Sequence, residues 1–254
     1  MDQLRQHIFD ANLPVTIAAL RAIGRLPSAD GARLMPLLER WMYFPDPTVA
    51  WLAARALIRW GDTRPYDDLR NGGRLASILG GRAVELFVLA GSTLDLVPLQ
   101  ALVARAARTP AILAALGRFG HPGVAPFLLH HLADEDLGEH AADALIRLFG
   151  PCVDPDTILS AVAWRSAIVA LELDPGARCR RGMVWTPAGV VADCSSGELS
   201  RAQIEPRLDE LAARARIVVP VDLGFWTPET RPMFAALSAA ASACDGAWPA
   251  SGWS

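Results

Sequence analysis

Apolar residues recur at three- and four-residue steps through most of the first 150 positions, and polar breaks separate the runs at nearly even intervals. The clearest run is Pro47 to Asp62, where Val49, Ala53, Ala56, Leu57 and Trp60 fall on one helical face and Gly61 follows as a left-handed C-cap. That closing glycine is periodic. Gly61, Gly91, Gly120 and Gly150 lie 30, 29 and 30 residues apart and end the strings ALIRWG, LFVLAG, ALGRFG and LIRLFG. Self-similarity near 30 residues in a helical sequence predicts an all-α solenoid, a right-handed superhelix of two-helix units that bury their apolar faces on one another.

On the glycine register the units run from about 31 to 62, 63 to 92, 93 to 120 and 121 to 150, after a half-unit around Val15 to Leu26. Each first helix carries an early proline and a leucine-rich body, as in ARLMPLLERWM and GVAPFLLHHLAD. Pro65 is placed to open its helix, whereas Pro36, Pro98 and Pro126 should kink or restart theirs. The last second helix, Leu137 to Gly150, turns Ala141, Ala144, Leu145 and Leu148 inward, and its alanines allow close helix approach.

The string DPTVAWLAARALIRWGD, echoed by ALGRFGH and EHAADALIRLFG, resembles the short HEAT-like repeat of bilin-lyase-related proteins over roughly residues 31 to 150. Arg180-Arg181-Gly182-Met183-Val184-Trp185-Thr186-Pro187, Ser200-Arg201 and Leu208 to Arg214, with the upstream repeats, resemble an uncharacterised proteobacterial HEAT-repeat family often encoded beside type VI secretion components. The first resemblance implies a fold. The second implies a cytoplasmic accessory or adaptor and supplies no catalytic residues.

Beyond Pro151 the period fails, which divides the chain into a repeat region, 1–150, and a helical C-terminal capping region with a flexible tail, 151–254. Residues 156 to 173 read as one amphipathic helix starting at an Asp or Thr cap. Thr186-Pro187 starts another, and Ser200 with Gln203 has capping-box spacing ahead of a helix through Arg214. In that helix Leu208, Leu211 and Ala212 alternate with charges, so it reads as a surface helix. A last helix starts at Thr227-Pro228-Glu229 and gives way to the tail CDGAWPASGWS, which should fray. Trp226, Trp248 and Trp253 read equally as core plugs, tail contacts or a dimer surface.

Composition narrows function mainly by exclusion. Hydrophobic residues make up 52% of the chain, with alanine supplying much of that share and favouring helix. A net charge of −3 gives no chain-wide basic field for a nucleic-acid backbone, so no nucleic-acid partner is expected. The N-terminal MDQLRQHIFDANLP lacks the basic start and apolar run of a signal peptide, and no charge-free apolar stretch of about 18 residues is present. These features predict a cytoplasmic protein without a membrane partner. All 24 cationic residues are arginines, in keeping with codon bias in a GC-rich genome. Cys152, Cys179, Cys194 and Cys244 are scattered, form no CxxC pair and fit reduced thiols.

Chemistry is sparse. His130, His131, Asp134, Glu135, Asp136, Glu139, His140 and Asp143 are the densest set of candidate metal ligands, but the other units offer no matching pair, and the set reads as a solvated acidic loop. No GxSxG, P-loop, GxGxxG or HExxH string occurs, and no nucleophile–base pair can be built around Cys194. Neither a catalytic residue, a metal site nor a cofactor is expected.

The register itself yields the one site. Superposing second helices places Arg55, Glu85, Ala114 and Asp143 at one recurrent position and Arg59, Leu89, Arg118 and Arg147 four residues later. With second helices lining the concave side, Trp51, Arg55, Arg59, Glu85, Arg118, Glu139, Asp143 and Arg147 form the expected partner-binding face. The arginines of that stripe either pair with acidic residues of adjacent units or face a partner, and Trp and Arg are side chains that dominate interfaces. The expected function is a non-catalytic protein-binding scaffold or adaptor, an accessory or immunity-type partner of a secretion-system effector. Its partner is another protein, a secreted effector or a secretion component. The alternative is a HEAT-repeat enzyme of iron-hydroxylase or nucleic-acid repair type.

Overall fold

Helical periodicity in the sequence becomes helix almost throughout the structure, a computed structural model that describes residues 12–26, 31–195, 201–215 and 230–244. Among these residues fourteen α-helices alternate with short 3-10 turns, and one two-residue antiparallel pair of strands is the sole extended pairing. The protein is all-α in that sense. The Ser200 end of the expected capping box, the helix start at Thr227, the terminal tail, and Trp226, Trp248 and Trp253 lie outside the described residues.

The early prolines restart helices. Helix α1 (Leu13–Ile23) has Pro14 in its first turn, and α2 (Met35–Trp41) follows the 3-10 turn Ala32–Leu34 with Pro36 in its own first turn. A proline there removes an N–H that has no helical partner in any case, so the chain reopens a helix at little cost. Helix α3 (Pro47–Arg59) is closed at both ends, and at Gly61 as its sequence predicts. Asp46 accepts from the amides of Thr48 and Val49 at 2.9 and 3.0 Å. Gly61, at φ +89°, donates to the Ile58 carbonyl while Asp62 donates to that of Leu57, the paired bonds of a Schellman cap.

By packing the chain falls into two compact units. The first contains the described residues up to Ala90 together with those from Thr186 onward; the second is Gly91–Trp185. The division drawn at Gly150 follows the end of the repeat, whereas packing follows where apolar faces are buried.

In the first unit α3 packs against α1, α2, α5 (Arg74–Leu79) and α6 (Arg82–Ala90), and α4 (Arg64–Arg70) packs against α5 and α6. Val49, Ala53, Ala56 and Leu57 are buried as expected, and so are Ala50, Ala54 and Ile58, so α3 is enclosed on most sides. The C-terminal helices α12 (Pro187–Ser195), α13 (Arg201–Ala215) and α14 (Thr230–Cys244) complete this unit, with α13 packed on α6 and α3.

Helix α13 corrects the sequence reading. It is not a surface helix: Leu208, Leu211 and Ala213 are buried, and Asp209 and Glu210 are each only 3% exposed. Buried carboxylates of this kind need partners. Glu210 meets Arg214 one turn on at 3.3 Å, and Arg214 donates to the Val88 carbonyl near the C-terminal end of α6 at 3.0 Å.

The second unit holds α7 (Leu96–Arg105), α8 (Pro110–Phe119), α9 (Ala125–His130), α10 (Gly138–Phe149) and α11 (Ala161–Ala170). Helix α11 is shorter than the expected 156–173, because Ser160 rather than an Asp or Thr caps it, accepting from the Ala163 amide at 3.3 Å. Helices α8 and α10 lie so close that a Cβ on Gly117 would come within 3.0 Å of the Ala144 backbone.

Strands β1 (Cys179–Arg180) and β2 (Met183–Val184) belong to a strap that crosses the C-terminal ends of α8 and α10 and reaches Gly91. Arg178 donates to the Gly91 carbonyl, Cys179 to that of Gly120 at 2.7 Å, and Arg181 and Gly182 to those of Arg147 and Leu148, each at 2.9 Å. Helix C-termini present unsatisfied carbonyls and partial negative charge, so a strap of backbone amides that also carries Arg178, Arg180 and Arg181 complements them.

Candidate functional site

The first unit contains a recess of about 320 Å³ walled by α1, α3, the start of α6 and one residue of α13. Trp51 and Arg55 of α3 line it one helical turn apart, and Arg59 joins them a turn further on. Arg21 and Arg25 contribute from α1 and the residues just after it, Arg82 from the first position of α6, and Glu205 from α13. The Arg82 guanidinium carbon lies 4.6 Å from the Trp51 ring centroid and that of Arg55 lies 5.1 Å away, so the indole carries two cation–π contacts. Arg82 also donates to the Thr48 hydroxyl at 3.3 Å. The Trp51 indole N–H is buried with no hydrogen-bond partner among the described residues.

The arginines are not equivalent. Arg55 donates from Nε to Asp209 at 2.6 Å and from its terminal nitrogen to Glu205 at 3.0 Å, and Arg59 lies 3.3 Å from the second oxygen of Asp209. Burial pulls the Arg55 pKa down, but Asp209 and Glu205 outweigh it and leave it raised. For Arg59 burial again acts downward and, with the nearby charges of Arg55 and Arg25, prevails over Asp209 and Glu205. Both stay protonated, and the opposite directions follow from burial acting on both while Arg55 meets two carboxylates and Arg59 only one. Arg21 and Arg25 are solvent-exposed at the rim.

Three of the eight expected partner-binding residues, Trp51, Arg55 and Arg59, are therefore brought together, although Arg55 and Arg59 are already tied to α13. Glu85 is half-buried on α6 and does not line the recess. Arg118, Glu139, Asp143 and Arg147 belong to the second unit, with Glu139 and Asp143 exposed and the two arginines half-buried. The residues that sequence reasoning missed are Arg21, Arg25, Arg82, Glu205 and Asp209. Carrying the register one period upstream was enough to find two of them, since Arg21 and Arg25 precede Trp51 and Arg55 by 30 residues.

The acidic loop is solvated at Asp134, Glu135 and Asp136 but not at His131, which is only 3% exposed. Asp134 accepts from the amides of Asp136 and Leu137, a turn that opens α10, and lies 3.9 Å from His131. Burial and the neighbouring His130 and Arg108 lower the His131 pKa against the pull of Asp134. No group of three or more His, Cys, Asp or Glu side chains among the described residues is arranged to hold a metal ion. His121 accepts from the Gly123 amide through Nδ1 at 2.9 Å, and burial and Arg178 lower its pKa, so the neutral ring acts as a helix cap. Burial pushes the Cys179 thiol up to about 11. At neutral pH it is then not a nucleophile.

No helix among the described residues is long and apolar enough to cross a membrane. Comparison with protein-family models, curated proteins and solved structures finds no match to this chain, so the resemblance to HEAT-like repeats rests on the sequence pattern alone.

Proposed function

We propose that the chain is a non-catalytic binding module that holds a partner protein by an acidic group seated on the arginine recess of the first unit. The observation that carries this reading is the charge imbalance: five guanidiniums line the recess, whereas Glu205 and the adjoining Asp209 supply two carboxylates. Trp51 adds a flat apolar surface, and preformed cationic sites of this kind select partners by electrostatic complementarity at little ordering cost. The resemblance to secretion-associated HEAT-repeat proteins makes the expected partner a secreted effector or a secretion component. The same reading takes the helix pairs of residues 31 to 150 as HEAT-like units of a right-handed superhelix, supported by the 29- to 30-residue recurrence of glycine-ended helices.

Fluorescence anisotropy with a labelled glutamate-rich peptide tests the proposal. The full-length protein should bind it at low salt, lose affinity as salt is raised, and bind at least about tenfold more weakly when Arg82→Glu is introduced. Equal affinity for a neutral peptide of the same length would end the proposal.

A further inference from the structure

Within the recess, three guanidiniums differ from the other two. Arg55 and Arg59 are neutralised in part by Asp209 and Glu205, whereas Arg21, Arg25 and Arg82 have no carboxylate partner among the described residues. Counting five positive charges against two negative ones leaves a surplus of three around one small volume. A single carboxylate on a partner would offset one of these. A phosphate monoester carries about −1.5 to −2 at neutral pH and offers three oxygens to planar guanidinium forks, which bind phosphate in a bidentate manner.

Size points the same way. About 320 Å³ lies at the small end of the range for ligand pockets, roughly 300–1,000 Å³, and accommodates one charged group with a short attachment. The wall also contains a displaceable anion. Glu205 is 35% exposed at its side chain and already occupies one terminal nitrogen of Arg55, whereas Asp209 is 5% exposed and holds Nε. An incoming dianion can replace Glu205 while Asp209 keeps Arg55 in place.

We propose that the recess is a phosphate-binding pocket in which Arg21, Arg25 and Arg82 take a phosphate monoester over Trp51, with Arg55 exchanging Glu205 for the ligand. This rests on the reading of the recess as the binding site and specifies the chemistry recognised there. The phosphate can be borne by a phosphorylated side chain of a partner protein or by a small free phosphate ester.

Isothermal titration calorimetry on the full-length protein separates these sources and tests the pocket. The probes are pyrophosphate, a phosphoserine peptide, and the same peptide with glutamate in place of phosphoserine. The expected result is at least tenfold tighter binding of pyrophosphate or the phosphopeptide than of the glutamate peptide. That binding should fall at least tenfold in Arg82→Glu and in Arg21→Glu, and hold in Arg165→Glu, an exposed arginine of the second unit. A tighter phosphopeptide identifies a protein-borne phosphate, and a tighter pyrophosphate a small ligand. If the glutamate peptide binds as tightly as both, the phosphate assignment falls and the binding module stands. If no probe binds, both fall. Equal loss in Arg165→Glu would also overturn the pocket. Thermal melts of the Arg82→Glu and Arg21→Glu variants matching the parent protein show that they are folded.

Discussion

Asp209 decides how the cationic recess is tolerated. Its side chain is 5% exposed and its two oxygens meet Arg55 and Arg59, so removing it strands the largely buried Arg59 and leaves Arg55 only the half-exposed Glu205. Breaking a buried pair from one side costs about 3–5 kcal/mol, whereas an exposed pair contributes about 0.2–1 kcal/mol. Urea unfolding should therefore show a loss of about 3 kcal/mol or more for Asp209→Ala. Glu205→Ala should lose less than about 1 kcal/mol, since that carboxylate is 35% exposed. Similar losses for the two variants would contradict the separation of roles. Local patterning could not reveal Asp209. Charge within an amphipathic helix ordinarily marks the wet face, and what buries this one is an arginine 154 residues upstream. Arg55 and Arg59 were legible as a pair one turn apart, but not that the chain's own α13 answers them.

Between elements, the glycine period serves two purposes at the same residues. Gly61 ends a helix in the conformation its sequence predicts, and Gly120 does so at φ +78°. Gly120 and Gly150 also make room for the strap: a Cβ on either would stand 3.0 Å from the carbonyl oxygen of Cys179 or Arg181. A helix-ending glycine has a sequence pattern, whereas docking of residues 178–182 rests on backbone hydrogen bonds spanning up to about 60 residues and has none. Gly150 is the sharper test, because φ +77° with ψ −179° is a region open almost only to glycine, at a cost of about 1–3 kcal/mol for other residues. Gly150→Ala should lower stability by at least that amount and loosen the strap. Cys179 should then become reactive toward iodoacetamide at pH 7.5, where in the parent protein its raised pKa and burial keep it unlabelled. An unlabelled Cys179 in a destabilised Gly150→Ala protein would show that the strap does not depend on that glycine.

At the scale of the whole molecule, both parts of the first unit are needed to close one core. Helix α13, with Leu208 and Leu211 buried, packs on α3 and α6 and sets Asp209 on Arg55 and Arg59, so a chain ending at Gly150 would uncover that surface of α3 and α6. A 1–150 fragment should therefore bind a hydrophobic dye and unfold without a cooperative transition, whereas the full chain melts cooperatively. A cooperative 1–150 fragment would instead make the end of the repeat a true folding boundary. The all-α class and most helix starts were readable from periodicity and early prolines, because those are local properties. The grouping of the chain's two ends was not, since it depends on which faces meet. The most direct measurement of the central claim is the charge preference of the recess, read by anisotropy with glutamate-rich and arginine-rich peptides on the parent protein and on an Arg21→Glu/Arg25→Glu variant. Both substituted residues are exposed, so the fold should be retained. The account predicts that the parent protein prefers the acidic peptide and that the variant loses or inverts this preference; an unchanged preference for the acidic peptide in the variant would contradict it.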